Sequence, residues 1–347
     1  MVRVLSRHGP ASACVNPSAT ITRFAQRVGC VRIEENSVIT MIDEYETPEG
    51  FKSGFVALVG RPNVGKSTLM NAFLQQKIAI VTPRPQTTRT RQLGIITEPA
   101  YQMIFIDTPG IMKKPRHKLD EFMLKTAEDT LVDADVVLWL VDSSEPPGPE
   151  DRTIAAKLQP IAGHIPVIIG MNKIDLLSAA DVLPRSEAFT SLLPDAQWLL
   201  FSALRKNGLS ELLQLLIDAL PEGPMYYPPD QITDAFLREI AAEMVREQIM
   251  LQLREEIPYS TAVQVQDFKE RANGTTYISA TIFVERDAHK RIVIGRNGDQ
   301  LQKIGTAARK EIEDMLDGKV FLELWVKVQP KWRRDENTLK RLGYSGS

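Results

Sequence analysis

The octapeptide Gly60-Arg61-Pro62-Asn63-Val64-Gly65-Lys66-Ser67 sets two glycines, a lysine and a hydroxyl at the spacing G-x-x-x-x-G-K-[ST], which suits a phosphate cradle. Glycine lets the backbone turn so that successive N–H groups, and the first turn of a following helix, point at phosphate oxygens. Lys66 would then neutralise the β- and γ-phosphates, Ser67 would hold Mg²⁺, and Thr68 would complete the binding turn. The bland alternative is a chance glycine-rich turn. Against it stand an apolar run, Phe55 to Val59, directly before the octapeptide and a helical run, Thr68 to Leu74, directly after it.

Three further loops end apolar runs. Asp107-Thr108-Pro109-Gly110 follows Met103 to Ile106, so its carboxylate can reach the metal and the Gly110 N–H can meet a γ-phosphate. Asp-Thr-Pro-Gly is also a good plain turn. Asn172-Lys173-Ile174-Asp175 follows Val167 to Met171. A carboxylate at Asp175 accepting from guanine N1 and its exocyclic amine rejects adenine, while Asn172 can bond N7 and Lys173 can lie over the ring. For Asp175 alone a helix N-cap is the competing role. Ser202-Ala203-Leu204 follows Trp198 to Phe201 and offers a backbone N–H to guanine O6. Between the cradle and Asp107, the polar segment Pro83 to Thr90 can close over the γ-phosphate. Thr88, or failing that Thr87, would give Mg²⁺ a hydroxyl; an ordinary loop is the alternative.

The elements that must position these loops are short apolar runs alternating with longer amphipathic segments from Gly54 onward. That texture means βαβ units, an α/β domain with a mostly parallel sheet covered on both faces and ligands at the strands' carboxyl ends. A last helix, about Leu209 to Leu220, meets Pro221 and Gly223-Pro224, then Tyr226-Tyr227-Pro228-Pro229. Proline forbids helix at the residue before it, which predicts an extended linker. The expected units are an N-terminal extension at 1–50, a nucleotide-binding P-loop domain at 51–222, a linker at 223–229, a smaller α+β domain at 230–330 and a basic tail at 331–347.

In the second domain the predicted order is α-β-β-α-α-β: a helix about Thr233 to Leu253, strands at Ala262 to Phe268 and Thr276 to Glu285, a helix to Ile294, a helix to Leu316 and a strand from Val320 to Val328. Gly295-Arg296-Asn297-Gly298 lies between the two later helices. Paired glycines there let a single-stranded backbone approach, the arrangement of a type II KH domain, although G-x-x-G is also a common helix–helix turn. From Arg286 to Lys310 there are seven Lys or Arg against two Asp, and Lys290, Arg291, Arg296 and Lys303 are candidates for phosphate contacts. Lys331, Arg333 and Arg334 add cations, and Trp332 adds a ring that could stack.

The first domain resembles the translation-factor-related GTPases over residues 54 to 220. The pairing of GTP-binding domain, proline linker and single KH domain, with Glu323-Leu-Trp-Val-Lys-Val-Gln-Pro330 as last strand, resembles the Era family of bacterial and organellar GTPases from about Phe51 to Leu342. The resemblance implies a GTP/GDP switch with Mg²⁺, binding near the 3′ end of small-subunit ribosomal RNA during 30S-type subunit assembly, and peripheral attachment to the inner face of the cell membrane. It also implies that Asn63 occupies the position with which related GTPases help to bind K⁺. Lys66, Thr88, Asp107, Gly110 and Asn63 would carry hydrolysis. Many signalling GTPases have a water-orienting glutamine where this chain has Ile111, so slow intrinsic turnover is expected. An RNA-binding module with a non-hydrolysing nucleotide site, or a GTPase with another RNA or membrane role, remains the alternative.

Composition bounds these readings. The 347 residues carry a net charge of −2, 43% hydrophobic and 25% charged residues, ordinary for about two soluble domains and unlike collagen, coiled coil or a wholly disordered chain. No apolar run reaches the ~18 residues of a spanning helix. Residues 1–33 hold five arginines and no Asp or Glu; a disordered extension, a start at Met41 and an organelle transit peptide all fit. Cys14 and Cys30, the two cysteines, lie in that stretch, which excludes a disulfide scaffold and suits a reducing cytoplasm. A monomer is expected. His8, His117, His164 and His289 are not spaced as metal ligands and are read as surface or loop residues; Trp139 is read as core.

Overall fold

Strands buried on both faces need apolar residues at every position, and the central runs of this chain supply them. The computed structural model describes residues 47–110, 115 and 117–344. Most of the expected N-terminal extension, with His8, Cys14, Cys30 and Met41, lies outside the described residues, as does Ile111. The first region runs β1 (Lys52–Val59), α1 (Lys66–Leu74), β2 (Gln92–Glu98), β3 (Tyr101–Asp107), α2 (Lys118–Asp133), β4 (Val136–Asp142), α3 (Pro149–Ala162), β5 (Val167–Asn172), α4 (Val182–Thr190), β6 (Gln197–Leu200) and α5 (Leu209–Ala219).

Its sheet has the order β2-β3-β1-β4-β5-β6. Every pair is parallel except β2 with β3. Alternate residues face opposite layers: Leu58, Leu138 and Leu140 meet Leu69 and Met70 of α1 and Leu212 and Leu216 of α5. Val59, Trp139 and Val141 meet Ala127 of α2, Ile154 and Leu158 of α3 and Phe189 of α4. Each such fully buried aliphatic side chain contributes about 1.5–3 kcal/mol. Trp139 is core, as its strand implied.

The second region follows the expected order with α6 (Leu237–Gln252), β7 (Ala262–Glu270), β8 (Thr276–Val284), α7 (Asp287–Ile294), α8 (Asp299–Leu316) and β9 (Val320–Val328), then α9 (Glu336–Arg341). The sheet is β7-β8-β9, antiparallel then parallel. Val245 and Ile249 of α6, Val293 of α7 and Ile304 and Ala308 of α8 pack on its one face through Ile282, Val284 and Val326.

The segment expected as an extended linker is stitched to the first sheet. The Gly223 N–H donates to Phe51 O at 3.1 Å and the Ile95 N–H to Ile232 O at 2.8 Å. Gln102 of β3 accepts from the N–H groups of Tyr226 and Tyr227 and donates to Tyr227 O. The prolines do keep 224–232 free of helix, but the stretch is not extended throughout: it turns at Pro229-Asp230, where the Gln231 N–H donates to Pro228 O at 3.0 Å, and backbone groups on either side of that turn pair with the neighbouring sheet edge. The described residues accordingly form one compact unit.

The expected basic tail is also built into the fold. Trp332 is fully buried, its indole N–H donating to Ser260 O at 2.9 Å. With Leu339, Leu342 and Tyr344 it packs on Leu119 and Met123 of α2 and on Ala262 and Phe283. The charges of this segment face outward while its scattered apolar residues share one side, so composition alone hid a docked element.

Candidate nucleotide site and nucleic-acid interface

The cradle joins the end of β1 to α1. Gly65 has φ of +103°, and a Cβ there would lie 2.3 Å from Asn172 Nδ2, so only glycine lets the loop pass beneath the base-binding loop. Lys66 is buried and donates from Nζ to the carbonyls of Gly60 and Arg61, each at 3.1 Å. Burial pushes its ammonium down to about 8, against the opposing pull of Asp107. A polyanion entering the cradle would remove that cost. Arg61 turns away from the mouth, 3.1 Å from Glu145.

Three oxygens converge beside Lys66. Ser67 Oγ lies 2.5 Å from Asp107 Oδ2 and 3.0 Å from Thr88 Oγ1, and Thr88 Oγ1 lies 3.3 Å from the same carboxylate oxygen. Cis ligands of an octahedral Mg²⁺, at 2.0–2.1 Å, stand about 2.9 Å apart. Asp107 is fully buried, and its other oxygen, Oδ1, has no hydrogen-bond partner among the described residues. Burial raises its pKa, against Lys66 and the two hydroxyls. An oxygen cage with one orphaned carboxylate oxygen fits a hard divalent cation. Of the two threonines, Thr88 is the one in this cage; Thr87 Oγ1 instead closes its own loop on Thr82 Oγ1 at 2.7 Å and Arg84 O at 2.8 Å.

A cavity of about 340 Å³ opens here, lined by Pro62, Asn63, Thr68, Thr82, Gly110 and Lys173 among others. Asn63 Nδ2 donates to Pro83 O at 3.0 Å, tying the cradle to the loop that covers it. Thr108 turns inward, its hydroxyl on Leu58 O at 2.9 Å, and Pro109 is buried, so Gly110 is the member of its loop that reaches the mouth.

The residues expected to recognise the base play unequal parts. Asn172 is buried; Nδ2 donates to Val64 O at 2.8 Å and Oδ1 accepts from the N–H groups of Lys173 and Ala203 at 2.8 and 2.9 Å. It therefore ties three loops together, work that its side-chain type predicts only if one already knows that the loops meet. Lys173, at φ of +69°, forms an ion pair with Asp142 at 2.6 Å. That pair draws Asp142 below the usual carboxylate range although burial works the other way. Asp175 is exposed inside the turn Ile174–Leu176, not at a helix N-cap. Ser202 is buried and Leu204 is 73% exposed. Because the Ala203 N–H is taken by Asn172, Leu204 is the residue of that loop left facing outward.

The turn Arg296–Gly298 joins α7 to α8. Gly295 has φ of +78°, and a Cβ on it would sit 2.3 Å from Asp299 Oδ1 and 2.8 Å from Gln300 N, closer than any side chain tolerates. Nothing lies within 4 Å of a Cβ built on Gly298, which leaves open space for a foreign backbone. Arg291, Arg296, Asn297 and Lys303 are exposed and Lys290 is half-buried. Lys331, Arg333 and Arg334 stand apart from this turn, lining a cavity of about 770 Å³ with Gln86, His117 and Arg286. Arg333 is half-buried and paired with Glu285 at 2.6 Å, so it is less free for phosphate than its neighbours, and Trp332 is too buried to stack on a base. Of the histidines read as surface or loop residues, His289 departs from that reading: it is buried in α7 beside Ser260 Oγ at 3.2 Å. The His117 N–H is held by Asp120 at the start of α2.

The family described as 50S ribosome-binding GTPase matches residues 55–173, and the KH domain family matches 256–333. GTPase Era of Ruminiclostridium cellulolyticum is 46% identical over 294 residues, covering 85% of this chain and 98% of that protein. GTPase Era of Lactobacillus delbrueckii subsp. bulgaricus is 48% identical over 293 residues, covering 84% and 96%. Two solved structures superpose with TM-score 0.82 at 40% identity, covering 85% of this chain and all of theirs. They are Era with MgGDPNP and nucleotides 1506–1542 of 16S ribosomal RNA, and a point variant of Aquifex aeolicus Era bound to GDP·AlF4⁻.

Proposed function

Since the chain belongs to the Era family of GTPases, we propose that it is a GTP-driven switch that binds small-subunit ribosomal RNA near its 3′ end and assists 30S-type subunit assembly. The observation that carries this is the convergence of Ser67, Thr88 and Asp107 oxygens at the cradle's mouth, in the same compact unit as the Gly295–Gly298 turn. GTP and GDP are the nucleotides and Mg²⁺ the metal. Held by Ser67, Thr88 and Asp107, Mg²⁺ would offset the negative charge of the phosphates.

The chain's own residues do the rest. Lys66 neutralises the β- and γ-phosphates and the backbone from Gly60 to Ser67 surrounds them. Ser67, Thr88 and Asp107 hold the metal, and Gly110 offers its N–H where the γ-phosphate ends. Asp175 reads the guanine edge, Lys173 covers the ring and the Leu204 N–H faces O6, while Asn172 fixes the distance between cradle and base loop. Exchange of GTP for GDP releases Thr88 and the Asp107 loop, and that release alters how the KH groove meets RNA. Gly295, Arg296, Asn297 and Gly298 contact the single strand, with Lys290, Arg291 and Lys303 on its phosphates.

The finer parts of the reading are potassium near Asn63, a monomer in the cytoplasm and peripheral attachment to the inner face of the membrane. No helix among the described residues is long and apolar enough to cross a membrane. Asn63 donates to the carbonyl of Pro83 beside the phosphate site; the Asn63 amide oxygen and that carbonyl are the oxygens that cradle and covering loop would offer to a monovalent cation in place of this bond. The test is phosphate release from GTP in potassium and in sodium buffer, with and without a 16S 3′-end RNA fragment. Turnover should be slow alone and faster with RNA and with potassium, and Asn63→Ala should erase the potassium effect. Equal rates in both salts would remove the monovalent cation; no turnover under any condition would remove the enzyme.

A further inference from the structure

Side chains at successive positions of the loop that covers the phosphate site serve two different domains. Thr88 turns toward Ser67 and Asp107. Arg89, the next residue, leaves in the other direction and is 2% exposed. Its guanidinium donates from Nη1 to Thr261 O at 2.6 Å and to Tyr344 Oη at 3.4 Å, and from Nη2 to Tyr259 O at 3.1 Å and Pro258 O at 3.3 Å. The Trp332 ring lies 5.9 Å from it. On the other side of Thr88, the carbonyl of Thr87 accepts from Nη2 of the buried Arg246 in α6, which Glu243 holds. Further back in the same loop, the Val81 N–H donates to Glu247 at 2.8 Å, and Lys77 pairs with Glu247 at 2.5 Å and Glu311 at 3.0 Å.

The cage around Arg89 is built from the turn before β7 and from the C-terminal segment. Trp332 is fixed by its bond to Ser260 O, and Tyr344 lies almost parallel to it at 5.9 Å and edge-on to Phe122 of α2 at 6.3 Å. Helix α2 follows the Asp107–Gly110 loop, so the elements leaving both γ-phosphate loops end on the same C-terminal segment.

A planar guanidinium matched to several carbonyls is an all-or-none contact. Withdrawing it strands buried acceptors, each of which costs about 1–3 kcal/mol when left unpaired, and no other residue type presents five donors in that fork. A Thr88 flanked by two such anchors is held over the metal site by the second domain as well as by the bonds its loop makes at Thr82, Pro83 and Arg84; residues 79–90 form no helix or strand.

The geometry points to Arg89 as a positioning residue. Docked in the cage of residues 258–261, Trp332 and Tyr344, it presents Thr88 to the magnesium–triphosphate, so that the KH domain and the C-terminal segment supply part of the GTP site in cis. This rests on the reading above that Thr88 holds the metal of the GTP complex.

The experiment compares Arg89→Ala, Arg89→Lys and Thr88→Ala in the full chain by fluorescent GTP-analogue and GDP affinities at saturating Mg²⁺, with turnover and thermal unfolding. Thr88 matters to the triphosphate complex alone, so Thr88→Ala and Arg89→Ala should each cut the ratio of GTP to GDP affinity about tenfold, the size of an ordinary coupling. GDP affinity should stay within about twofold. Arg89→Lys keeps the charge without the fork and should fall between. A role in holding the fold alone would lower both affinities together and leave their ratio unchanged, and that result overturns the inference. If Thr88→Ala shifts the ratio and Arg89→Ala does not, the inference fails and the metal assignment survives. If neither shifts it, both fall. Should Arg89→Ala not fold, Tyr344→Phe removes one acceptor without emptying the cage and should move the ratio in the same direction, by about twofold; an unchanged ratio there overturns the inference as well.

Discussion

At the scale of single residues, the proposed base choice rests on one exposed carboxylate. Asp175 sits inside a tight turn whose preceding residue, Lys173, is held at positive φ and paired to Asp142, so the turn is fixed before any nucleotide arrives. A carboxylate there matches the two N–H donors of guanine, and an amide matches one donor and one acceptor. Asp175→Asn should therefore lower GTP affinity by at least about a hundredfold, as sites built around a hydrogen-bond pattern discriminate strongly. Xanthosine triphosphate, which presents the complementary pattern, should gain. Competition binding with both nucleotides checks it: unchanged GTP affinity in the variant would mean that Asp175 does not read the base. The loops that carry these residues were legible in the sequence because the members of each motif are neighbours in the chain. The partner of Asn172 was not, because Val64 is 108 positions away and no local pattern marks the pairing.

At the scale of elements, the apolar runs that end in chemistry were legible because a strand buried on both faces has no polar position to confuse it. Edge elements were not. β2 reads Gln-Leu-Gly-Ile-Ile-Thr-Glu, with a glycine at its centre because Met70 and Leu74 of α1 lie where a Cβ would go; glycine in a run argues locally against a strand and only the helix behind it explains the choice. The C-terminal segment escapes a sequence reading for a related reason. Trp332, Leu339, Leu342 and Tyr344 meet at one cluster from a single-turn helix and a six-residue helix, too short to show a period. The Gly295–Gly298 turn, in contrast, was legible from its glycines, its flanking helices and its local cations together. Its exposed pair Arg296 and Asn297 contributes no core packing, so Arg296→Asp with Asn297→Asp should leave thermal unfolding unchanged. RNA affinity should fall at least about tenfold and the dependence of binding on salt should flatten by about one charge. A titration at two salt concentrations reads both effects, and an unaltered curve would take this turn out of RNA binding.

At the scale of the whole molecule, the question is whether two sites on one compact body can ignore each other. The loop over the cradle is bonded to α6, to the turn before β7 and to Tyr344, and α6 packs on α8, the helix that begins at the Gly295–Gly298 turn. Contacts of this kind have discrete arrangements because buried donors and acceptors are either paired or not. A ligand shifts such an equilibrium only by the difference in its affinity for the two arrangements. In the proposed switch the triphosphate favours the arrangement with Thr88 on the metal, and the diphosphate gives that arrangement no γ-phosphate to close on. RNA affinity should therefore differ between the GTP-analogue and GDP complexes by about tenfold, within the usual 1–3 kcal/mol of coupling. Reciprocity makes the prediction stricter: RNA must raise the affinity for the GTP analogue over GDP by the same factor, since both numbers are sides of one thermodynamic cycle. Measuring both sides checks the relay without assuming a direction for it. An RNA affinity indifferent to the nucleotide, matched by a nucleotide preference indifferent to RNA, would leave the interdomain bonds as scaffolding.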